Sequence, residues 1–394
     1  MTASGEMNEA MGVVLDEDPL TGSFIWQPTF GLEHPAGHGP ITFILTTDSG
    51  QPQPDATITS AVVRVHLAHR GAEKLFESRD YRQMMMLGDR HDWNSSFGSE
   101  LGLALTIEQA LGITAPERAT WLRTLMAELN RAIHHLRWLG STAGELGSVE
   151  VQTQTAGLRE QLVELHESYS GGRLHPMLVQ PGGMRLDVPD GWLDQLIGAL
   201  EQLPTVQQSL NEFFSSDFVG ASDGQLSLED VKEFGVSGPT ARASGLELDL
   251  RFDDSYCSYP ELIDNRILNR TVGTSGDNQA RFQTLVGELD TSANCITACA
   301  DRLNSMSTEE PISVKLPRSI RLPHGSFYGW TENPTGINGW FITSTGGPTP
   351  YRVKLRTASF NNAQALEKVL IGMPMSQLKS TLMSWQITSG DLAK

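Results

Sequence analysis

The sequence predicts an α+β protein in which a mainly helical core is flanked by small antiparallel sheets from the two ends of the chain. Apolar residues recur at helical spacing through the middle of the chain, and short β-prone segments with Gly/Pro turns lie near both ends. With 394 residues, 39% of them hydrophobic, the chain can bury a sizeable core. These patterns divide the chain into a polar lead-in, an N-terminal β-hairpin with site loops, a helical core, and a C-terminal β-rich segment with a closing helix, at 1–30, 31–98, 99–310 and 311–394.

The composition narrows the class of protein. A formal net charge of -18 argues against a nucleic-acid-binding surface. The three cysteines, Cys257, Cys295 and Cys299, form no disulfide framework, and their scarcity suits a reducing compartment. No apolar run approaches the roughly 18 residues of a membrane-spanning helix, and the first residues lack the pattern of a signal peptide. A soluble cytoplasmic protein is therefore the default expectation.

The N-terminal part is predicted to form an antiparallel hairpin with strands at 41–45 and 58–65. Residues 1–30 are polar and acidic and contain one candidate strand, at 23–26. The segment 31–40 holds too many Gly and Pro residues for a helix, so it is predicted to be a loop at the base of the hairpin.

Two histidines in this loop, His34 and His38, allow two interpretations. In the first, both imidazoles are solvated or hydrogen-bonded parts of a polar loop. In the second, the loop tip enters a pocket, where an imidazole with a pKa of about 6.5 passes a proton to a reduced substrate. The intervening Pro and Gly residues exclude a helical metal-binding pair, so we predict no metal site here.

The longest predicted helix spans 115–141. Thr114 and Glu117 lie at capping-box spacing around Pro116, which indicates where the helix begins. Within it, His134 and His135 point about 100° apart, so one is expected to pack and the other to face a polar interface. The apolar face follows alternating steps of three and four: Leu122, Leu125, Leu129, Ala132, Leu136 and Leu139.

Other core helices are predicted from apolar spacing, caps and helix breakers, at 101–111, 158–169, 192–203, 205–215, 228–234 and 282–303. Residues 238–245 are predicted to be a loop. Cys295 and Cys299 fall on or near the buried face of the last helix, so we interpret them as small hydrophobic residues. The C-terminal part is predicted to form three strands, the third with one basic face, and a closing helix, at 327–332, 339–343, 351–356 and 363–384.

Long motifs, in the same order along residues 31–394, resemble those of one family. HPAGHGPI is similar to its HPxxHG loop, HRGAEK to its HRGxEK segment, and PERATWLRTLMAELNRAIHHLRWLG to its long helix. GGRLHPMLVQPGG, ARASGLELDLR, GTSGDNQARF and TPYRVKLRTASF resemble later segments. The family is that of the D subunit, the 49 kDa-type subunit, of proton-pumping NADH:quinone oxidoreductase (respiratory complex I), which shares its fold with the large subunit of nickel–iron hydrogenases.

This resemblance implies a quinone-site subunit that binds no cofactor of its own. Members pack against a small partner subunit that carries the last iron–sulfur cluster, and the quinone head group enters a chamber between the two. The further implied partners are a neighbouring peripheral-arm subunit and the membrane-arm subunits. The implied location is the cytoplasmic side of the cell membrane, as a peripheral membrane protein. Electrons come from NADH through the partners, and their transfer is coupled to proton translocation.

The resemblance also implies roles for single residues. His38 matches the histidine that hydrogen-bonds the quinone head group. Glu145 stands where the family usually has an aspartate that is thought to orient this histidine. Arg70 and His175 match residues beside the terminal cluster, where a cation and an imidazole raise its potential and couple its redox state to a proton.

Three residues of the long helix, Glu128, Arg131 and His135, also match family positions. Two interpretations of them stay open, an intrahelical ion pair with a packed imidazole and a catalytic role. The hydrogenase branch is excluded, because a nickel–iron site needs four thiolates in two CxxC pairs, and neither 88–97 nor 386–391 contains a cysteine.

One departure from the family pattern concerns the second quinone ligand, a tyrosine that is replaced here by Trp93 in the segment DRHDW. Indole donates a hydrogen bond but cannot deliver a proton near neutral pH, unlike a phenol with a pKa of about 10. Trp93 can therefore pack against the ring, and His91 is a candidate for the missing proton donor. The ending QITSGDLAK also lacks the first aspartate of the family ending. These changes favour an alternative function, a non-catalytic or quinone-impaired paralogue that acts as a structural or assembly component.

Overall fold

The computed structural model describes residues 12–30, 34–37, 41–65, 68–216 and 219–394. An antiparallel sheet of four strands in sequential order lies at the N-terminal end. The predicted hairpin is confirmed as the third and fourth strands, but the expectation of a single strand in the lead-in is wrong. The added first strand is mostly exposed, so its sequence lacks a clear apolar alternation. The strands are β1 (Gly12–Asp18), β2 (Ser23–Pro28), β3 (Thr42–Thr47) and β4 (Ile58–Arg64).

The helical core is built around two long helices that pack against each other, Glu117–Glu145 and Asn278–Ser305. The apolar face predicted for the first is confirmed, since all six of its positions are buried. Cys295 and Cys299 are also fully buried, as expected for core residues. The helices before the C-terminal sheet are α1 (Ala72–Glu77), α2 (Tyr81–Gly88), α3 (Ser96–Leu111), α4 (Glu117–Glu145), α5 (Val149–Ser170), α6 (Trp192–Leu200), α7 (Leu203–Phe214), α8 (Leu228–Phe234), α9 (Pro239–Ala243), α10 (Leu250–Asp253), α11 (Tyr259–Asp264) and α12 (Asn278–Ser305).

Two local predictions in this core are wrong. The side chain of Thr114 does not cap α4, because Pro116 is the N-cap residue and its extended backbone, with ψ 153°, puts Thr114 too far back in the chain. The predicted loop 238–245 contains the short helix α9, which begins with proline at a position where a missing N–H costs nothing.

Close contact between α4 and α5 depends on two glycines near the end of α4. A side chain at Gly140 would lie 2.9 Å from Thr155, and one at Gly144 would lie 2.4 Å from Gln152. Without these side chains the two helices approach closely, and this contact fixes the C-terminal end of α4 and its last residue, Glu145.

The C-terminal part contains a three-stranded antiparallel sheet, as predicted. The basic face of its last strand pairs with α1, where Arg352 donates to Glu77 over 2.9 Å. The predicted single closing helix is wrong, because Gly372, with φ 86°, and Pro374 divide it in two. The remaining elements are β5 (Val179–Gln180), β6 (Gly183–Met184), β7 (Gly325–Asn333), β8 (Gly336–Ser344), β9 (Arg352–Arg356), α13 (Ala358–Leu370), α14 (Leu378–Ser384) and α15 (Ser389–Leu392).

Candidate functional site

The loop Asp89–Trp93, between α2 and α3, is the centre of the first group of predicted site residues. Arg70 reaches it from the segment before α1. Its Nη1 donates to the carbonyl oxygen of Arg90 over 2.8 Å, and its Nη2 donates to those of His91 over 3.3 Å and Gly390 over 3.4 Å. Arg70 therefore joins this loop to the C-terminal segment.

Trp93 lies between a cation and a glycine. The Arg70 guanidinium carbon lies 5.1 Å from the centre of the indole ring, within cation–π distance. At Gly390 a Cβ atom would lie only 2.4 Å from the same ring. The C-terminal segment therefore fixes the position of the indole, and a larger residue at 390 would displace it.

His175 contacts the other end of this loop. Its Nδ1 lies 3.4 Å from Oδ2 of Asp89, which is fully buried, while the His175 side chain is 28% exposed. Asp89 also accepts a 2.6 Å hydrogen bond from Arg90. The structure thus brings three sequence-predicted residues, Arg70, Trp93 and His175, to one loop.

A second group of predicted site residues lies around His34. The backbone N–H of Ala36 donates to Nδ1 of the buried His34 over 3.2 Å, so Nε2 carries the proton and donates to Thr142 Oγ1 over 3.1 Å. The ring of His34 stacks on Phe30, at 5.0 Å, and meets the ring of Trp138 edge-on. For His34 the interpretation as a hydrogen-bonded structural imidazole is therefore correct. His38 lies outside the described residues.

Glu145 belongs to this second group. It accepts a 2.7 Å hydrogen bond from Lys379, and both side chains are mostly buried. Lys379 also lies 6.0 Å from the ring of Phe30. Glu145 therefore lies at the same end of α4 as Thr142, the partner of His34. Sequence reasoning missed Lys379, which is 234 residues from Glu145 and belongs to no recognised motif.

A buried network of charges fills the space between α4, α12 and β7. Three arginines face four carboxylates, and all seven side chains are at most 1% exposed. The ion-pair interpretation of Glu128 and Arg131 is confirmed, with a separation of 3.4 Å, and the pair is one part of this larger network. Its members are Glu128, Arg131, Arg242, Asp249, Arg251, Glu288 and Glu332.

The centre of the network is the contact between Arg242 and Glu288. Arg242 donates to Glu288 over 2.7 Å and to Glu332 over 2.7 Å. Burial alone would raise the pKa of Glu288, but Arg242 and a hydrogen bond from His135 outweigh it, so this pKa lies well below its ordinary value. Glu288 is therefore a carboxylate at neutral pH.

His91 is not suited to replace the phenol that the family pattern has at position 93. Its side chain is buried and meets the ring of Trp340 edge-on at 5.4 Å. Burial, with the nearby charges of Arg70 and Lys394, lowers the pKa of His91 to about 3. The imidazole is therefore uncharged at neutral pH, and the structure does not support the hypothesis that His91 is the second proton donor.

Asp92, the next residue, is a buried carboxyl group with a raised pKa. Burial and the neighbouring Asp391 raise the pKa of Asp92 to about 8. Between the unfolded value of about 4 and the folded value, the folded protein holds a proton that the unfolded chain releases. This contribution to stability is therefore complete below about pH 4 and is lost as the pH rises through about 8.

Asp92→Asn is expected to reduce the pH dependence of stability. The melting temperature of the wild-type protein should fall more steeply between about pH 6 and about pH 9 than that of the variant, which has no proton to lose at this position. Thermal unfolding followed by circular dichroism measures both slopes. The exposed Asp290, changed to asparagine, is the control and should keep the wild-type slope. Equal slopes for all three proteins would contradict the prediction.

Comparison with known proteins identifies the family of this fold and site. The model of the family "Respiratory-chain NADH dehydrogenase, 49 Kd subunit" matches residues 145–320 and 313–394. One NADH-quinone oxidoreductase D subunit of Streptomyces coelicolor, numbered 1, is 42% identical over 370 residues, which is 92% of this chain and 94% of that protein. The NADH-quinone oxidoreductase D subunit of Campylobacter hominis is 30% identical over 390 residues, 92% of this chain and 93% of that protein.

The class defined by these matches is that of subunits of a respiratory NADH dehydrogenase. Within this class, the chain belongs to the family of the 49 kDa subunit, also called the D subunit. The resemblance inferred from the motifs is therefore confirmed. No helix in the described part of the chain is both long and apolar enough to cross a membrane.

Proposed function

We propose that this chain is the quinone-site subunit in the peripheral arm of a complex I-type NADH:quinone oxidoreductase. It helps to transfer electrons from NADH, through iron–sulfur clusters on partner subunits, to a quinone, and this transfer is coupled to proton translocation. The observation that carries the proposal is the convergence of Arg70, Trp93 and His175 on the loop Asp89–Trp93. Arg70 and His175 keep part of their side chains exposed there, so a partner can contact them.

In this proposal Arg70 and His175 act on the cluster that the small partner subunit carries. The cation of Arg70 favours the reduced cluster by charge, and the partly exposed imidazole of His175, next to Asp89, is proposed to couple the redox state of the cluster to a proton. Neither residue ligates metal. They tune a group that is bound by the neighbouring subunit.

The quinone head group is proposed to bind between His38 and Trp93. His38 is the hydrogen-bond donor to the ring and one source of protons for its reduction. Trp93 packs against the ring, and its own position is fixed by Arg70 on one side and Gly390 on the other. Glu145 is proposed to orient His38, and its own side chain is held at the end of α4 by a hydrogen bond from Lys379.

The proposed partners are the cluster-bearing small subunit, a neighbouring peripheral-arm subunit and the membrane-arm subunits. The proposed place of the chain is the cytoplasmic side of the cell membrane, as a peripheral protein. Isolation of the tagged chain from its native membrane tests this arrangement. We expect these partners to co-purify, together with NADH:quinone reductase activity that a quinone-site inhibitor abolishes. Co-purification without such activity would favour the non-catalytic paralogue instead.

Trp93→Tyr and Trp93→Phe test the role of residue 93 in the purified complex. Tyrosine restores a phenol that can deliver a proton, whereas phenylalanine offers only an apolar ring of the same shape. We therefore expect the tyrosine variant to have a quinone reductase kcat several-fold higher than the phenylalanine variant, with similar KM values for quinone. Equal kcat values in the two variants would show that residue 93 takes no part in proton delivery.

A further inference from the structure

A groove lined by methionines lies between α2 and the segment that leads into β5. Its volume is about 200 Å³. Met85 and Met86 of α2 line one side, and Met177 and Val179 line the other. Met86 is 56% exposed, whereas Met85 and Val179 are buried, so the groove has an apolar floor that opens to solvent. We call it the methionine groove.

The backbone holds Met177 in the groove in an unusual conformation. Its φ of 47° lies in the left-handed region, which residues with a side chain rarely adopt. The N–H of Met177 donates to Oε1 of the buried Glu100 over 2.6 Å, and its carbonyl oxygen accepts from Arg185 over 3.1 Å. These contacts keep the residue in place, so the position of this methionine is built into the fold.

The segment 314–318 borders the groove from two sides. The N–H of Val314 donates to the carbonyl oxygen of Gly182, in the turn between β5 and β6, over 2.8 Å. Arg82, which lines the groove from α2, donates through Nε to the carbonyl oxygen of Arg318 over 3.2 Å. The exposed residues Lys315 and Arg318 therefore lie at the border of the groove.

Four cations thus form a basic rim around the methionine groove. They are Arg82, Arg185, Lys315 and Arg318. In the described part of the chain, none of the four has a carboxylate at ion-pair distance. Asp80 is occupied in capping α2, and Asp187 pairs with Arg118 over 2.7 Å. In a chain with a formal net charge of -18, cations without carboxylates indicate that the opposite charge comes from another molecule.

The position and size of the groove favour a protein as this other molecule. Met177 follows His175 by two residues, and the partly exposed His175 is proposed to contact a neighbouring subunit. Leu186, next to the basic rim, is 53% exposed, which extends the apolar surface beyond the groove. A volume of about 200 Å³ is below the roughly 300–1,000 Å³ of small-molecule pockets and suits inserted side chains instead.

We propose that the methionine groove docks a segment of a neighbouring subunit in which an apolar side chain lies between carboxylates. The methionines receive the apolar side chain, because flexible thioether side chains adapt to the shape of a partner. The basic rim pairs with the carboxylates and fixes the register of the segment. The proposal rests on the assembly with other subunits that the proposed function includes, and it is independent of the quinone chemistry.

Photo-cross-linking from position 86 in the intact complex, purified from the native membrane, tests the occupant. The photoreactive residue p-benzoylphenylalanine takes the place of Met86, and mass spectrometry identifies the product. We expect a cross-link to a peptide of another subunit, with an aspartate or glutamate beside the cross-linked residue. The control is the same replacement at Ile371, which is also 56% exposed but lies between α13 and α14. It should not give this product.

The double variant Lys315→Glu, Arg318→Glu tests the basic rim without a change in the apolar floor. Both side chains are exposed, so the fold should be kept. We expect the fraction of this chain recovered with the other subunits at low salt to fall at least about threefold, because like charges then face each other. The difference from the wild type should shrink at about 0.5 M salt, where charges are screened.

The control for charge alone is the double variant Lys232→Glu, Arg266→Glu, which makes the same change in net charge at two other exposed positions. Its recovery should match that of the wild type. Replacement of the cross-linked peptide's carboxylate by lysine should restore the recovery of the variant with a reversed rim.

The outcomes separate this proposal from the proposed function. A cross-link from position 86 to lipid, to a second copy of this chain or to another part of the same chain would overturn the docking site. Wild-type recovery of the variant with a reversed rim would also overturn it. The quinone reductase activity of the wild-type complex decides the proposed function separately. An inactive complex with the expected cross-link would contradict that function and support the docking site.

Discussion

His38→Ala is expected to lower NADH:quinone reductase activity by about a hundredfold or more while the complex still assembles. The variant removes the proposed hydrogen-bond donor to the quinone ring and one source of its protons. Assembly should survive, because the loop is anchored by other groups. His34 is bonded to Thr142 and stacked on Phe30, and the buried Ile41 leads into β3. None of these contacts involves residue 38.

The measurement compares two activities of the same preparation. NADH oxidation by quinone should be lost, and NADH oxidation by a soluble acceptor that bypasses the quinone site should remain at the wild-type rate. His34→Ala is the matched control, four residues earlier in the same loop. It removes a buried, stacked imidazole and should lower the amount of assembled complex. Quinone turnover that is unchanged in His38→Ala would refute the role assigned to this residue.

The parts of the fold that sequence could predict are those whose pattern is local and strong. The leucine spacing of α4 and the Gly/Pro-bounded strands of the C-terminal sheet belong to this class. The exposed strand β1 was missed because only one face of an edge strand needs apolar residues, and here little of it is buried. The break between α13 and α14 was missed because its cause, the backbone at Gly372 and Pro374, interrupts an otherwise continuous apolar pattern.

The candidate site also has a part that the sequence could predict and a part that it could not. The long motifs led to Arg70, Trp93 and His175, and the structure brings these three to one loop. The hydrogen-bond partners of other site residues could not be predicted from the sequence, because the two members of each pair lie far apart in the chain. His135 and Glu288 are 153 residues apart, and Lys379 is 234 residues from Glu145. Gly390 was overlooked because its role is to have no side chain beneath Trp93.

The buried charge network stabilises the core and also fixes the protonation of a neighbouring imidazole, that of His135. Its arginines fix the ionisation of Glu288, and this fixes which nitrogen of His135 carries a proton. Nε2 of His135 donates to Glu288 over 2.9 Å, which leaves Nδ1 of His135 as an acceptor for Nδ1 of His134 at 3.3 Å. Such a network has a cost, since desolvated charges stabilise a protein only while every partner is present.

Glu288→Ala is therefore expected to reduce the free energy of unfolding by about 3–5 kcal/mol. The variant leaves Arg242 and His135 without their shared partner inside a buried network, so the cost of burying the Arg242 charge is offset only by Glu332 and Asp249. Chemical denaturation of the purified protein measures this change. Glu288→Ala removes the whole side chain, whereas Glu288→Gln keeps its shape and removes only its charge. The free energy of unfolding of Glu288→Gln should therefore lie between those of Glu288→Ala and the wild-type protein.

The matched control is Glu117→Ala, at the start of α4. Glu117 pairs with Arg302 of α12, the same two helices that the network joins, but both side chains are about half exposed. Solvent screens this pair, so its loss should cost less than about 1 kcal/mol. Similar losses for Glu288→Ala and Glu117→Ala would mean that water reaches the network. In that case the seven side chains would be solvated, and the network would stabilise the fold no more than an exposed ion pair does.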